Sequence, residues 1–315
     1  NQIATGTDAN GQPTSRDANA ADQVGGIQLA ISIGTSKSNS HTVSTRDEAV
    51  PSTVASGGNV TIAAKRSAAT SDVSIRGSEV HADQHVVIEA DHEINLQAAA
   101  TTRTLASKNS SSSASLGVVL STQGGMGVNV AGSRGRGSAD GNDVNWRNTA
   151  VSAGEKAIVT SGADLALQGA TVDAPRVIAK AGGKLRIDSL QDTSTYTSEQ
   201  KQIGGSLTIG TAPSANLNFS HDSADSSYRS VNQSTGIHAG DGGFNVSLAG
   251  DTALNGGRIT SSQAAVDSGA NHFSTGGELM VREIENRARY VTKATSISLG
   301  TGFSPQGKLA PIGTG

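Results

Sequence analysis

The chain has 315 residues, a net charge of −3 and no cysteine, and 3% of its residues are aromatic. The near-balanced charge gives no reason to expect a nucleic-acid partner, and the lack of cysteine excludes disulfides and thiolate metal sites. With so few aromatic side chains and 39 glycines, the composition favours a narrow core of small aliphatic residues with many tight corners.

Residues 1–23 lack apolar periodicity, and we predict that they form a lead-in loop. The chain starts Asn-Gln without an initiator methionine, so we take it as a fragment of a longer protein. The segment GGIQLAISIGTS follows, and the alternation of its apolar residues around Ile31 is typical of a strand. Equivalent alternating segments recur at Leu116, Leu207 and Ile297, at successive intervals of 85, 91 and 90 residues.

Residues 72–96 show a second, shorter repeat. Three alternating apolar pairs and one isolated valine are separated there by polar or glycine-containing corners: Val73/Ile75, Val80, Val86/Ile88 and Ile94/Leu96. Equivalent positions lie about 20 residues apart, and the pattern returns at 165–187 and, less regularly, at 237–259. A period near 20 residues built from short strands indicates a solenoid.

We therefore predict an all-β, right-handed parallel β-helix with six to ten rungs, about 30–50 Å long at ~4.8 Å per rung. Two rungs and one excursion make up each larger unit, and the units are expected at about 24–53, 54–150, 151–236 and 237–315. The predicted buried residues are Val73, Ile75, Val80, Val86, Ile88, Ile94, Leu96, Leu165, Leu167, Val172, Leu185 and Ile187.

The excursions, at about 97–150 and 188–236, combine Ser/Thr-rich stretches with alternating apolar strands such as SLGVVLS and NLNFS. We predict that they form antiparallel hairpins outside the coil, packed beside it as a second layer. Unpaired strand edges invite other strands, so the hairpins are either a surface for strand addition or a cover for the flank of the coil.

Several polar clusters are candidates for chemistry, and each has a simpler interpretation. His81, His85 and His92 could bind a metal ion, but their positions at corners indicate ordinary surface histidines. Gly-Asp-Gly-Gly at 240–243 occurs once, whereas calcium-binding nonapeptides recur, so a turn is expected. Arg134 and Arg136 could contact lipopolysaccharide phosphates, although two arginines in a Gly/Ser-rich segment are usually only solvated.

Asp188, Asp192 and Glu199 could serve as the carboxylate pair of a polysaccharide hydrolase, because some β-helices process glycans. Nothing in the sequence fixes the separation of such a pair, and few aromatic residues are present to bind a sugar ring. We therefore assign no catalytic, cofactor-binding or metal residues, and we expect neither enzymatic activity nor a cofactor.

Four segments carry a family resemblance: SASLGVVLS, GSRGRGSADGNDV, KLRIDSLQDTSTYTSEQKQIGGSLTIG and STGIHAGDGGFNVSLAGDTALNGG. They resemble the haemagglutinin-repeat region of filamentous-haemagglutinin-like exoproteins, most closely the second such region of the CdiA effectors of contact-dependent growth inhibition. The resemblance covers nearly all of the chain after about residue 24. It implies a monomeric, extracellular β-helical filament, exported from a Gram-negative cell by an outer-membrane two-partner-secretion transporter.

In that family this region is associated with the target-cell outer membrane, or a surface receptor on it, during delivery of a C-terminal toxin. The chain contains no secretion domain, no VENN motif and no toxin, so those activities cannot be assigned to it. Three functions stay open: a segment for target-membrane interaction, a passive adhesin stalk, and a glycan-processing β-helix. The first predicts binding to target outer membranes, the second predicts no membrane binding, and the third predicts turnover of a polysaccharide.

Overall fold

The computed structural model describes residues 2–7, 13–17, 28–121, 125–210, 213–302 and 313–314. Sixteen of its strands wind into a parallel coil, and in chain order they are β4 (Thr53–Ser56), β5 (Val60–Ala64), β6 (Val73–Arg76), β7 (Glu79–Ala82), β8 (His85–Ala90), β9 (Ile94–Gln97), β12 (Thr149–Ala153), β13 (Lys156–Ser161), β14 (Leu165–Gln168), β15 (Ala170–Ala181), β16 (Leu185–Asp188), β19 (Gly236–Leu248), β20 (Thr252–Asn255), β21 (Arg258–Thr260), β22 (His272–Thr275) and β23 (Leu279–Arg282).

The coil has three faces, because each turn contributes one short strand to each of three parallel ladders. One ladder runs β6–β9–β14–β16–β20–β23, and the other two begin with β4–β7–β12 and β5–β8–β13 before both continue through the long strands β15 and β19. The described residues form six rungs in this way. The fold is therefore the predicted β-helix, with the right-handed path that parallel connections take.

The core of the coil is a narrow stack of aliphatic side chains. The inner coil strands alternate buried and outward-facing residues, as β8 does over His85–Ala90, because successive side chains in a strand point to opposite faces. Eleven of the twelve predicted core residues are buried. Ile75 is only partly buried, since its strand β6 pairs with a neighbour on one side alone, β9.

The remaining long strands leave the coil and pair with one another in a seven-stranded antiparallel sheet, here called the projecting sheet. Its members are β3 (Gln28–Asp47), β10 (Ala99–Ser121), β11 (Gly125–Arg147), β17 (Asp192–Gly210), β18 (Ser214–Ser230), β24 (Arg287–Gly302) and the two-residue β25 (Gly313–Thr314). The spatial order is β25-β24-β18-β17-β11-β10-β3. Strand β10 has 23 residues, which corresponds to about 75 Å.

Two rungs of the coil alternate with one hairpin of the projecting sheet. Rungs in a parallel stack and strands in a sheet are both spaced by about 4.8 Å. Two rungs and one two-stranded hairpin therefore advance by the same distance of about 10 Å. This match lets β10–β11 and β17–β18 join edge to edge while the coil continues beneath them.

The structure differs from the expected packing of the hairpins. The hairpins do not lie against the coil as a second layer, because they join edge to edge into one sheet that projects from it. Within residues 1–23, β1 (Gln2–Thr7) and β2 (Pro13–Asp17) form an antiparallel pair, and the lead-in role of this segment stays a prediction. The boundaries of the larger units stay a prediction.

A short helix, α1 (Gln263–Asp267), is inserted in the last rung between β21 and β22. Ser262 caps its N-terminus by accepting a hydrogen bond from the backbone nitrogen of Ala265. Among the described residues, no helix is long and apolar enough to cross a membrane.

Candidate functional site

The outer half of the projecting sheet carries large apolar side chains on one face. Residues directly opposite each other in adjacent strands share a face, and so do residues two apart in one strand. The pairing of Ile31 with Val118, of Val118 with Val128 and of Val128 with Ile209 therefore aligns four aliphatic side chains in one row. The neighbouring row aligns Ile33, Leu116, Val130 and Leu207 in the same way.

Sixteen large apolar side chains belong to this surface, which we call the apolar face, and each is at least 40% exposed. They are Leu29, Ile31, Ile33, Leu116, Val118, Leu120, Met126, Val128, Val130, Ile203, Leu207, Ile209, Leu217, Phe219, Ile297 and Leu299. Soluble monomers rarely leave a contiguous apolar patch of this extent uncovered. The apolar face therefore has the character of an interaction surface.

The opposite surface of the same strands, the reverse face, has a different composition. Ser32 and Gly117 are the sequence neighbours of Ile33 and Leu116 and therefore point to the reverse face. They belong there to a row of small or polar residues, Ser32–Gly117–Asn129–Thr208. Two hydrogen bonds link these side chains across strands: Asn129 to Thr208 at 2.9 Å and Ser113 to Ser133 at 2.7 Å. The outer half of the sheet is therefore amphipathic from one face to the other.

Polar contacts hold the two hairpins together at the base of the projecting sheet. The side chain of Trp146, at the end of the first hairpin, donates a hydrogen bond from Nε1 to the carbonyl oxygen of Gln191 at 3.1 Å. The Trp146 backbone nitrogen donates to the Asp192 carboxylate at 2.6 Å, and Asn232 donates to the same carboxylate, also at 2.6 Å. These contacts tie the first hairpin to both ends of the second.

The three candidate histidines lie on the surface of the coil, and each contacts a different carboxylate. Nitrogen–oxygen distances are 3.2 Å from His81 to Asp83, 3.5 Å from His85 to Glu155 and 2.7 Å from His92 to Asp72. The hydrogen bond from His92 holds the pKa of the Asp72 carboxyl below its ordinary value. Over the described residues, no group of three or more His, Asp or Glu side chains is arranged to hold a metal ion.

The three candidate carboxylates are held in different places by different partners. Asp188 is buried in the coil, where it pairs with Arg186 and accepts a hydrogen bond from Asn255 at 2.5 Å. Asp192 accepts the hydrogen bonds at the base of the sheet. Glu199 lies on the sheet itself, opposite Ser138 and Ser223. Each carboxylate therefore has hydrogen-bond or ion-pair partners of its own.

Glu199 contacts two basic side chains, Lys201 at 2.6 Å and His221 at 3.0 Å. The hydrogen bond from Lys201, followed by that from His221, lowers the pKa of the Glu199 carboxyl below its ordinary value. Arg134 and Arg136 are exposed on the same surface of β11. The Gly-Asp-Gly-Gly segment at 240–243 lies in β19, where the pairing with β15 is interrupted by extra residues.

The strands of the apolar face are recognisable in the sequence, but the face itself is not. The alternation around Ile31 and Leu116 was visible, whereas the joining of strands as distant in sequence as β3 and β24 into one sheet was not. The shared interval of 85 to 91 residues was the signal that could have aligned them.

A parallel coil of repeated rungs with projecting hairpins defines a β-helical filament segment. This chain belongs to the hemagglutinin repeat family, whose model matches residues 31–205. It is 34% identical over 296 residues to "Deoxyribonuclease CdiA" of Dickeya dadantii (strain 3937), an alignment covering 91% of this chain and 9% of that protein. It is 35% identical over 305 residues to "Toxin CdiA" of Escherichia coli, covering 92% of this chain and 10% of that protein.

A third relative, "tRNA nuclease CdiA" of Escherichia coli O6:K15:H31 (strain 536 / UPEC), is 35% identical over 316 residues, covering 96% of this chain and 9% of that protein. The chain thus spans about a tenth of the length of these relatives, and their nuclease names describe those whole proteins. No solved structure matches the chain. The comparisons identify a segment of a secreted, cell-surface filament of Gram-negative bacteria, in a CdiA-like exoprotein.

Proposed function

We propose that this chain is the part of a contact-dependent growth inhibition effector that engages the target-cell outer membrane and so supports delivery of a toxin carried elsewhere in the effector. The full-length protein would reach the cell surface through a two-partner-secretion transporter. The observation that carries the proposal is the apolar face. A filament that served only as a spacer would need rungs that stack and would have no use for sixteen uncovered apolar side chains.

The backbone of the projecting sheet also suits an apolar environment. Burying an unpaired backbone group away from water costs several kcal/mol in hydrocarbon, but β10, β11, β17 and β18 each pair along both edges. Their polar groups are already satisfied before any contact with lipid. The outer edge of β3 is where strand addition with a partner would take place.

The depth of the apolar face favours entry into one leaflet. On β11, the side chains of Met126, Val128 and Val130 occupy positions over five residues, or about 14 Å. This length is close to the thickness of one leaflet, which is half of a typical ~30 Å hydrocarbon core. The outer half of the sheet would therefore lean into the outer leaflet with the apolar face towards the hydrocarbon and the reverse face towards water, while the coil stays outside the membrane.

The test uses the full-length effector, with surface display and toxin entry measured separately. Substituting Val118→Ser and Val128→Ser places two hydroxyls in the centre of the apolar face, and we expect display to persist while toxin entry falls. Val119→Ser is the matched control, because Val119 is the neighbouring residue on the reverse face. Normal entry with the apolar-face variant would contradict the proposal.

A passive adhesin stalk is the alternative function. It predicts that the apolar-face and control variants behave alike, since length and rigidity come from the coil. It also predicts no binding of the isolated chain to membranes.

A further inference from the structure

Basic side chains form a band next to the apolar face, on the same surface of the projecting sheet. Three successive rows, counted from the apolar face towards the coil, contain six exposed lysine or arginine residues and one carboxylate, Glu199. The two surfaces overlap in the first of these rows, which also contains Ile203, Phe219 and Ile297 of the apolar face. The basic residues, here called the basic band, are Lys37 and Arg134 in the first row, Arg136 and Lys201 in the second, and Lys108 and Lys293 in the third.

The charge is confined to one side of the sheet. Over the same rows, the reverse face contains Ser, Gly, Asn, Gln and Ala with a single charged residue, Asp222. The chain as a whole has a net charge of −3, so composition alone does not account for six cations on one side of a few strands.

The centre of the basic band is accessible and concave. A shallow depression of about 610 Å³ is lined there by side chains that include His41, Lys108, Arg136 and Lys201. Lys201 pairs with Glu199. In the part of the chain that the structure describes, Lys108, Arg134 and Arg136 form no ion pair within 4.0 Å.

The geometry points to a specific ligand class: we propose that the basic band binds the phosphate groups of anionic lipids in the target outer membrane. This inference rests on the proposed function, since the apolar face must first meet the membrane. Arginine donates paired hydrogen bonds to phosphate oxygens. With the apolar rows in one leaflet, the band faces the headgroup layer.

The spacing along β11 agrees with this placement. Arg134 and Arg136 follow Val130 by four and six residues, or about 13 and 20 Å along the strand. A tilted strand shortens that depth, and long basic side chains extend back towards the interface. Both guanidinium groups can therefore lie at the level of the phosphates.

The experiment measures partition of the 315-residue chain onto vesicles of phosphatidylcholine alone and onto the same vesicles containing lipid A. The variant is R134Q/R136Q. The matched control is R229Q/R289Q, which removes two exposed arginines from the same surface of the sheet, nearer the coil. Melting temperatures establish that all three proteins are folded.

We expect R134Q/R136Q to lower partition onto lipid A vesicles by on the order of tenfold at low salt, with partition onto neutral vesicles unchanged and the control variant like wild type. An unchanged preference for lipid A vesicles in R134Q/R136Q would overturn the inference. Equal loss with R229Q/R289Q would also overturn it, because the effect would then reflect net charge.

Two further outcomes separate this inference from the proposed function. If wild-type protein binds neither kind of vesicle, the proposed function fails and the inference fails with it. If wild type binds neutral and lipid A vesicles equally, the proposed function stands and the inference alone is overturned. Calorimetric titration with inorganic phosphate tests the source of the ligand, because binding as tight as that to lipid A vesicles would contradict a lipid site.

Discussion

The side chain of Thr149 donates a hydrogen bond from Oγ1 to the carbonyl oxygen of Gln97 at 2.6 Å. Gln97 is the last coil residue before the first hairpin, and Thr149 is the first coil residue after it. Thr235 makes the equivalent bond across the second hairpin, to the carbonyl oxygen of Asp188 at 2.8 Å. Both threonines are fully buried, so each closes the coil beneath its hairpin.

Replacing Thr149 with valine should destabilise the protein by about 0.5–1.5 kcal/mol, because the Gln97 carbonyl would lose this hydrogen bond while keeping the one from the Gly77 backbone nitrogen, and the shape of the side chain is kept. Chemical denaturation followed by circular dichroism would measure the free energy of unfolding. Thr61→Val is the control, since Thr61 is exposed in β5, and we expect it to stay within about 0.5 kcal/mol of wild type. Equal effects of the two substitutions would argue against the closing role of Thr149.

Ile88 and Val87 test the register of the coil. Ile88 is fully buried and Val87 faces outward from the same strand. Ile88→Asp should cost several kcal/mol or abolish folding, because an unpaired charge would enter the aliphatic stack. Val87→Asp should lower the melting temperature far less. A similar melting temperature for both variants would show that the assigned core side of β8 is wrong.

The Glu199 carboxyl should titrate below its ordinary pKa of 4.5, because it accepts hydrogen bonds from Lys201 and then His221. A pKa lowered by folding adds stability above the unfolded value, and that stability disappears as the pH falls through the folded value. NMR titration of the Glu199 carboxyl carbon would measure the pKa directly. Lys201→Met should raise it more than His221→Ala, and a wild-type pKa at or above 4.5 would contradict the contacts.

The core of the coil was predictable from the sequence because its determinants are local. Two-residue alternation places Val86 and Ile88 on one side of β8, and small corner residues mark where each strand ends. Ile75 is the exception, since its partial exposure depends on where its rung stands in the stack. No local pattern reports that position.

The apolar face and the basic band could not be predicted in the same way. Lys37, Arg134 and Lys201 come together only through the register of β3, β10, β11 and β17. A shift of one residue in any of these pairings would move a whole strand's side chains to the other face. Long-range register of this kind has no signal in a single segment.

The most direct test of the account places an environment-sensitive fluorophore on each side of the projecting sheet. The chain has no cysteine, so Val118→Cys and Val119→Cys each give one labelling position, on adjacent residues that point to opposite faces. Emission would be recorded as outer-membrane vesicles from target cells are added. We predict a blue shift for the label at 118, on the apolar face, and a much smaller shift at 119; equal shifts, or none at either position, would contradict membrane contact through the apolar face.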